Sequence, residues 1–290
     1  MSKVQCVANP RAEVGEGPVW DERAQALWWV DIKGQQLFLY DPSTSENRAW
    51  TMPERIGCVI PRERPGLIGG FQTGFKWIDP DTGAVSAISD PEPGMPGNRF
   101  NDGKCDPKGR LFAGTMDDEE NACTGTLYRL DPDLSVHVVR RDVFISNGLG
   151  WSPDSSVMYF ADSPRRVIWK YDFHTDSGNP TNERVFAQVP DDAGVPDGLC
   201  VDAEGYVWSA HWGGWRVTRY APDGRIDRVL EMPVPQPSSC AFGGSNLSTL
   251  YVTSAAIGMT EADLAKAPDG GGLFAVDVGV RGLPVSRFAG

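Results

Sequence analysis

Residues 149–173, LGWSPDSSVMYFADSPRRVIWKYDF, contain the pattern that decides the fold. A short apolar segment is followed by a turn of Ser, Pro and Asp, by a second apolar segment, and by a third, VIWKYD. Apolar and polar residues roughly alternate in the third segment, which is typical of a half-buried β-strand, and Pro, Asp and Ser are typical of turns. This stretch therefore predicts one small antiparallel sheet.

The same order of segments recurs along the chain at intervals of about 40 to 50 residues, as expected for a repeat protein. The six units start at Val19, Cys58, Lys104, Leu149, Leu199 and Cys240. Because one such sheet cannot bury its own faces, it must pack against its neighbours. We therefore predict an all-β fold, a six-bladed β-propeller formed as a single domain by residues 1–290. A β-sandwich would not explain why the order of strand types returns six times.

The segment VQCVAN, residues 4–9, precedes the first full unit. We predict that it closes the ring as the outer strand of the last blade, because such closure protects an exposed sheet edge.

Composition narrows the class of protein. The 290 residues include 33 Gly, 23 Pro and 10 Trp, which favours short strands and tight turns over helices. A net charge of −12 without a basic face argues against nucleic acid as a partner. The sequence has no secretory signal and no apolar run of about 18 residues, so we expect a cytoplasmic protein that does not enter the membrane. The oligomeric state is left open.

The cysteines and histidines give no sign of a thiolate or histidine metal site. The six cysteines include no C-x-x-C pair, and the three histidines lack metal-binding spacing. Cys58, Cys105, Cys200 and Cys240 begin first strands, where packing is the preferred interpretation. His211 lies in the Trp-rich segment AHWGGW, and a role at a pocket wall would require it to face the channel.

Polar residues occur in the same phase of four repeats. In a propeller the first strand of every blade lines the central channel, so we expect residues just before these strands to meet at one mouth. These positions hold Glu16 in GEGP, Arg99 and Asn101 in NRFND, Asn147 in SNG and Asp197 in PDG. Asn-Gly and Pro-Asp-Gly are ordinary turn sequences. Their shared phase is what indicates a functional site.

This ring of oxygen-bearing side chains predicts a central metal site. Carboxylate and amide oxygens suit Ca²⁺, Mg²⁺ or Mn²⁺, and Zn²⁺ or Fe²⁺ less selectively. One divalent ion held by Glu16, Asn147 and Asp197 would polarise an ester carbonyl and lower the pKa of a bound water. Asp197 would then act as general base, and Arg99 and Asn101 would hold the hydroxyls of a polyol substrate.

Five motifs together resemble the senescence-marker-protein/gluconolactonase/regucalcin family. They are GEGPVW (15–20), RFND (99–102), AGTM (113–116), SNGLGWSPD (146–154) and PDGLCVDAEG (196–205). The resemblance covers nearly the full length, and the chain looks closest to bacterial sugar lactonases. It implies a six-bladed propeller, a divalent metal on Glu16, Asn147 and Asp197, and Asp197 as the catalytic base.

The same resemblance makes Arg99 and Asn101 substrate-binding residues and points to Glu119, in the acidic loop DDEEN, as a third. The predicted reaction is metal-dependent hydrolysis of a sugar-acid lactone, such as glucono-, xylono-, arabinono- or galactonolactone, to the aldonic acid. The alternative is a non-catalytic propeller that binds calcium or a small molecule through the same ring.

Overall fold

The computed structural model describes residues 3–290 and consists of six four-stranded antiparallel sheets. In five sheets the strands lie side by side in chain order, and in the sixth the N-terminal strand is added at the outer edge. The innermost strand of every sheet contacts the innermost strands of both neighbouring sheets. These contacts form a closed ring. The prediction of an all-β, six-bladed propeller is therefore confirmed; Met1 and Ser2 lie outside the described residues.

The strands have the following bounds. The first three sheets contain β2 (Gly15–Asp21), β3 (Ala26–Asp31), β4 (Gln36–Asp41), β5 (Glu46–Thr51); β6 (Ile56–Pro61), β7 (Leu67–Phe71), β8 (Gly74–Ile78), β9 (Val85–Ser89); and β10 (Asn98–Cys105), β11 (Leu111–Asp117), β12 (Gly125–Leu130), β13 (Val136–Val143). The other three contain β14 (Ser146–Trp151), β15 (Val157–Asp162), β16 (Val167–His174), β17 (Asn179–Gln188); β18 (Val195–Val201), β19 (Val207–Trp212), β20 (Arg216–Tyr220), β21 (Ile226–Glu231); and β22 (Pro237–Gly243), β23 (Thr249–Ser254), β24 (Leu273–Asp277), β1 (Gln5–Ala8).

The N-terminal strand closes the ring. Strand β1 pairs antiparallel with β24, with Gln5 opposite Ala275 and Cys6 opposite Phe274. It is the outermost strand of the sixth sheet, as the position of VQCVAN predicted. This pairing joins the two ends of the propeller, because the other three strands of that sheet come from the C-terminal part of the chain.

Aromatic side chains fill the spaces between sheets. Trp20 of the first sheet stacks on Tyr251 of the sixth at 6.0 Å between ring centroids, and Phe75 meets Phe100 across the second and third sheets at 4.4 Å. Each fully buried aromatic side chain contributes roughly 1.5–3 kcal/mol through removal of apolar surface from water. Trp20 and Phe75 thus help to hold neighbouring sheets together.

The last residues cross the end of the channel opposite the predicted site. Residues 278–290 follow β24 and bond to three other sheets: the Ala203 amide donates to Arg281, the Phe288 amide to Pro61, and the Ala289 amide to Gly109. The one α-helix of the described residues, α1 (Glu261–Lys266), lies in the β23–β24 connection. Within residues 3–290 no helix is long and apolar enough to cross a bilayer.

Candidate functional site

A cavity of about 350 Å³ opens at the channel end where the first strands begin. This volume lies near the lower end of the range for small-molecule pockets. Its polar side chains are Glu16, Lys33, Arg99, Asn101, Glu120, Asn147, Ser163 and Asp197. Its apolar wall includes Met116, Ile145, Trp212 and Ile257. Five of the six residues that we predicted from the sequence therefore line one cavity.

An irregularity shared by all six first strands places these residues. Each strand has a shift in its pairing with the next strand, for example after Glu16 in β2, after Asn147 in β14 and after Pro196 in β18. A bulge leaves one or two residues unpaired and redirects their side chains. The repeated shift explains why residues of equal phase converge.

Two glycines allow the first strands to approach one another at these bulges. A Cβ atom at Gly198 would overlap Ser239 Oγ, and one at Gly148 would lie 2.7 Å from the Asp197 carbonyl oxygen. Both sites therefore require a residue without a side chain. The turn-like motifs SNG and PDG are explained by close packing inside the ring.

Three carboxyl groups lie buried near one another. Burial and the charge of Asp102 raise the pKa of Glu16 to about 8. Burial, together with the charges of Glu16 and Asp102, raises the pKa of Asp197 well above its ordinary range. Within residues 3–290, Asp197 Oδ1 is buried and has no hydrogen-bond partner. Because an unpartnered buried oxygen is costly, this atom is suited to receive a ligand or a proton.

A chain of hydrogen bonds fixes the other polar groups. Arg99 Nη1 donates to Asn101 Oδ1 at 2.6 Å, and Asn101 Nδ2 donates to Asn147 Oδ1 at 2.8 Å. Asn147 Nδ2 donates to Ser163 Oγ at 2.7 Å, and Ser163 Oγ donates to the Pro196 carbonyl at 2.6 Å. The chain therefore links three blades and ends beside Asp197.

Asp118 organises the neighbouring wall. Its carboxylate accepts from Arg99 Nε at 2.6 Å and from Lys33 Nζ at 3.0 Å, and it forms an ion pair with Arg55. Sequence reasoning did not single out Asp118, Lys33 or Ser163. Asp118 belongs to the acidic loop that was noted, but Lys33 lies in an ordinary β3–β4 turn and carries no motif.

The acidic loop presents a different glutamate from the one we predicted. Glu119 is exposed and is not among the residues lining the cavity, whereas the next residue, Glu120, does line it. Glu120 has a φ angle of 60°, and this left-handed conformation turns the chain at that point. The structure therefore does not bring Glu119 together with Arg99 and Asn101.

His211 lies behind the cavity wall. Its Nδ1 is 2.9 Å from the Ala193 carbonyl oxygen and its Nε2 is 3.2 Å from the Tyr220 hydroxyl. Burial lowers the pKa of His211 to about 4, so the ring is neutral at neutral pH. Its neighbour Trp212 faces the cavity instead.

The four cysteines that we predicted at the start of first strands are buried free thiols, but they lie further along those strands, and Cys105 is the last residue of β10. Cys200 and Cys240 lie 3.7 Å apart between their sulfur atoms, and both belong to one hydrophobic cluster. Packing is their role in the structure.

The donor set fits a hard divalent cation. Glu16, Asn147 and Asp197 supply oxygen ligands, and the unpartnered Asp197 Oδ1 is the feature that a cation would satisfy. Within residues 3–290 no group of three or more His, Cys, Asp and Glu side chains is arranged to hold a metal. The predicted centre therefore depends on the amide oxygen of Asn147 as well as on two carboxylates.

Comparison with known proteins agrees with this architecture. The family model described as SMP-30/Gluconolactonase/LRE-like region matches residues 14–256. The chain is 40% identical to L-arabinolactonase of Azospirillum brasilense, covering 98% of this chain and 95% of the relative. It is 39% identical to regucalcin of Danio rerio, covering 99% of each. A crystal structure of a calcium-binding protein, regucalcin, from Agrobacterium tumefaciens superposes with a TM-score of 0.94 at 27% identity, covering 98% and 96% of the two chains. The chain belongs to the SMP-30/gluconolactonase/regucalcin family.

Proposed function

We propose that this chain is an enzyme that hydrolyses a sugar-acid lactone to the aldonic acid. The observation that carries the proposal is the unpartnered, buried Oδ1 of Asp197, in a cavity that also holds Arg99 and Asn101. The 40% identical relative is named for a lactonase activity, L-arabinolactonase, which supports the same reaction class. Glucono-, xylono-, arabinono- and galactonolactone are the candidate substrates.

Glu16, Asn147 and Asp197 are the residues that would hold a divalent metal ion. Relatives named regucalcin, one of them described as calcium-binding, support a divalent ion and make Ca²⁺ one candidate beside Mg²⁺, Mn²⁺, Zn²⁺ and Fe²⁺. Such an ion, when bound, supplies Lewis-acid polarisation of an ester carbonyl and a lower pKa for water.

Asp197 is the general base of the proposed reaction. With one carboxylate oxygen on the metal ion, the other oxygen of Asp197 would accept the proton of a water that attacks the lactone carbonyl. Burial and the charges of Glu16 and Asp102 raise the pKa of Asp197, and a divalent cation on these carboxylates would favour the ionised form that a base requires. The proton can then pass to the ring oxygen as the C–O bond breaks and the hydroxyl of the aldonic acid forms.

Arg99 and Asn101 orient the substrate. Arg99 is almost fully buried and is held by Asp118 and Asn101, so its position is set before substrate arrives. A fixed guanidinium of this kind aligns hydroxyl groups and stabilises developing negative charge. Asn101 Nδ2 already donates to the Ser146 carbonyl and to Asn147 Oδ1, so Asn101 contributes its Oδ1 as an acceptor. Glu119 stays a predicted substrate contact, and its neighbour Glu120 lines the cavity.

A non-catalytic propeller that binds calcium or a small molecule is the second candidate, and the relatives named regucalcin favour it. Arg99 argues for the enzyme. A guanidinium held in the same cavity as the oxygen ligands repels a cation and has no use in a bare calcium site.

The test is acid release from a panel of pentono- and hexonolactones. Metal-stripped protein is compared with protein resupplied with Ca²⁺, Mg²⁺, Mn²⁺, Zn²⁺ or Fe²⁺, and uncatalysed ring opening is subtracted. We expect metal-restored turnover of one sugar series. Saturable metal binding without acceleration of any lactone would overturn the enzyme in favour of the binding protein.

A further inference from the structure

Three cationic side chains share a single carboxylate at one side of the cavity. Lys33, Arg55 and Arg99, which we call the cationic wall, all pair with Asp118. They come from the β3–β4 turn, the residue before β6, and β10, so three blades contribute one residue each. The Arg99 side chain is 4% exposed, that of Lys33 17% and that of Arg55 29%, so water compensates these charges only in part.

The positive charge of the wall exceeds what Asp118 neutralises. Burial and the charges of Arg55 and Arg99 lower the pKa of Lys33, although its ammonium is 3.0 Å from Asp118 Oδ1. Burial likewise lowers the pKa of Arg99 to about 10. The carboxylate of Asp118 therefore does not balance the three positive charges that pair with it, and a further anion would stabilise them.

The nearby acidic residues do not remove this excess of positive charge. The charges of Glu119 and Glu120 raise the pKa of Lys33, and the charge of Glu120 raises that of Arg99, yet the pKa of each cation stays lowered. Both glutamates are exposed, and neither forms an ion pair with the cationic wall among residues 3–290. Solvent and salt screen exposed charges that are not in contact. Glu16 and Asp197 also act on Arg99, but a divalent cation on these two carboxylates would neutralise them.

Lys33 is the member of the wall placed to meet a ligand. It lines the same cavity as Asp197 and Asn101, whereas Arg55 is not among the lining residues. Arg99 is held by Asp118, Asn101 and the Phe100 carbonyl, and the proposed reaction already uses it to orient the lactone. An ammonium on a flexible stem can leave Asp118 for a ligand, because Arg55 and Arg99 remain to neutralise that carboxylate.

We propose that Lys33 determines specificity by binding an anionic substituent of the lactone, such as a carboxylate or phosphate on the carbon furthest from the ester carbonyl. The inference rests on the proposed lactone hydrolysis and narrows its substrate class to lactones with a second acidic group. Arg55 and Arg99 support this role by keeping the wall positive.

The test compares matched substrates on matched variants. The probes are glucono-1,5-lactone and two analogues that are anionic at C6, the 6-phosphate and the lactone of glucaric acid. The proteins are wild type, Lys33→Met, Lys33→Arg and, as a control for net charge, Lys108→Met at an exposed turn. Calorimetric binding of the open-chain acids, gluconate, 6-phosphogluconate and glucarate, is measured in parallel because it does not require turnover.

We expect wild type to favour at least one anionic lactone. Lys33→Met should lower its kcat/KM by about 10- to 100-fold, the range for a lost hydrogen bond to a charged group, and should change the neutral lactone by less than about threefold. Lys33→Arg should retain most of the preference, and Lys108→Met all of it. Turnover of the neutral lactone with no anion preference, or equal losses on all substrates, would overturn the inference and leave the hydrolase intact. Lys33-dependent binding of the anionic acids without turnover would retain anion recognition while the hydrolase fails.

Discussion

The two ends of the central channel are built from the same six strands and differ in what those strands present. Where the first strands begin, bulges direct the side chains of Glu16, Asn147 and Asp197 towards an open polar cavity. Where they end, a cavity of about 240 Å³ is lined by Trp151, Phe242 and residues 283–286 of the last segment. The first end holds the polar residues of the candidate site, and at the second end the C-terminal segment bonds to other sheets. We therefore expect substitutions at the first end to change activity and substitutions at the second end to change stability.

Replacement of Asp197 should give the largest effect at the polar end. Asp197→Asn removes the proposed base, and loss of a general base typically lowers kcat by about 10²–10⁴. Because the buried carboxylates repel one another, thermal stability without metal should be unchanged or higher. Lactone turnover and a thermal melt measure both. Full activity of the variant would remove Asp197 from the mechanism.

Truncation of Phe288 should have the opposite pattern at the packed end. This side chain is fully buried, and it contacts the Trp77 ring at 5.9 Å between centroids. Phe288→Ala should lower the free energy of unfolding by about 3–5 kcal/mol. Below its melting temperature the variant should keep wild-type kcat/KM. A large loss of activity with native stability would contradict the proposed separation.

His211 tests whether a residue directly behind the polar cavity serves stability alone. The native state keeps the ring neutral with a pKa of about 4, against 6.5 for a solvent-exposed histidine of the unfolded chain, so the unfolded chain binds the proton first as the pH falls. This contribution is complete above pH 6.5 and is lost as pH falls towards 4, by up to about 3 kcal/mol.

The comparison is between wild type and His211→Gln in chemical denaturation at pH 7.5 and pH 4.5. Groups shared by both proteins cancel in the difference, so the wild type should lose more stability than the variant on acidification. Parallel pH dependence of the two proteins would show that His211 does not titrate in this range.

Ser163 offers a smaller, more specific effect. It accepts from Asn147 Nδ2 and donates to the Pro196 carbonyl, so it orients one predicted metal ligand and the strand that carries another. Ser163→Ala should weaken metal affinity about 10- to 100-fold, as is typical of groups that orient ligands. Titration calorimetry measures this without turnover.

The control for Ser163 is Ser286→Ala, which removes a hydroxyl from the lining of the opposite cavity. Its metal affinity should equal that of wild type. If both variants bind metal normally, Ser163 has no role in orienting the ligands.

Much of the fold was predictable because it depends on local sequence patterns, namely strand periodicity and repeat spacing. Six returns of one strand order indicated the six sheets, and the extended VQCVAN indicated the closing strand. Shared phase also brought Glu16, Arg99, Asn101, Asn147 and Asp197 to one cavity. Their roles as metal ligands, base and substrate contacts remain predictions.

Residues whose position depends on loops or distant contacts were not predictable in this way. Glu119 and Glu120 are adjacent in sequence, and only the backbone conformation of the loop decides which one faces the cavity. Lys33 reaches Asp118 across 85 positions of sequence separation, and no motif marks either end of this contact.

The sequence by itself determined the number of blades, the closing strand and the phase at which polar residues meet, because strand periodicity and repeat spacing are local properties. The tertiary structure decided which polar groups are buried, paired or left without a partner. Three cations pair with Asp118, and Asp197 Oδ1 has no hydrogen-bond partner within residues 3–290. The sequence alone could not determine either feature, because desolvation and charge depend on groups that the fold brings together from different blades.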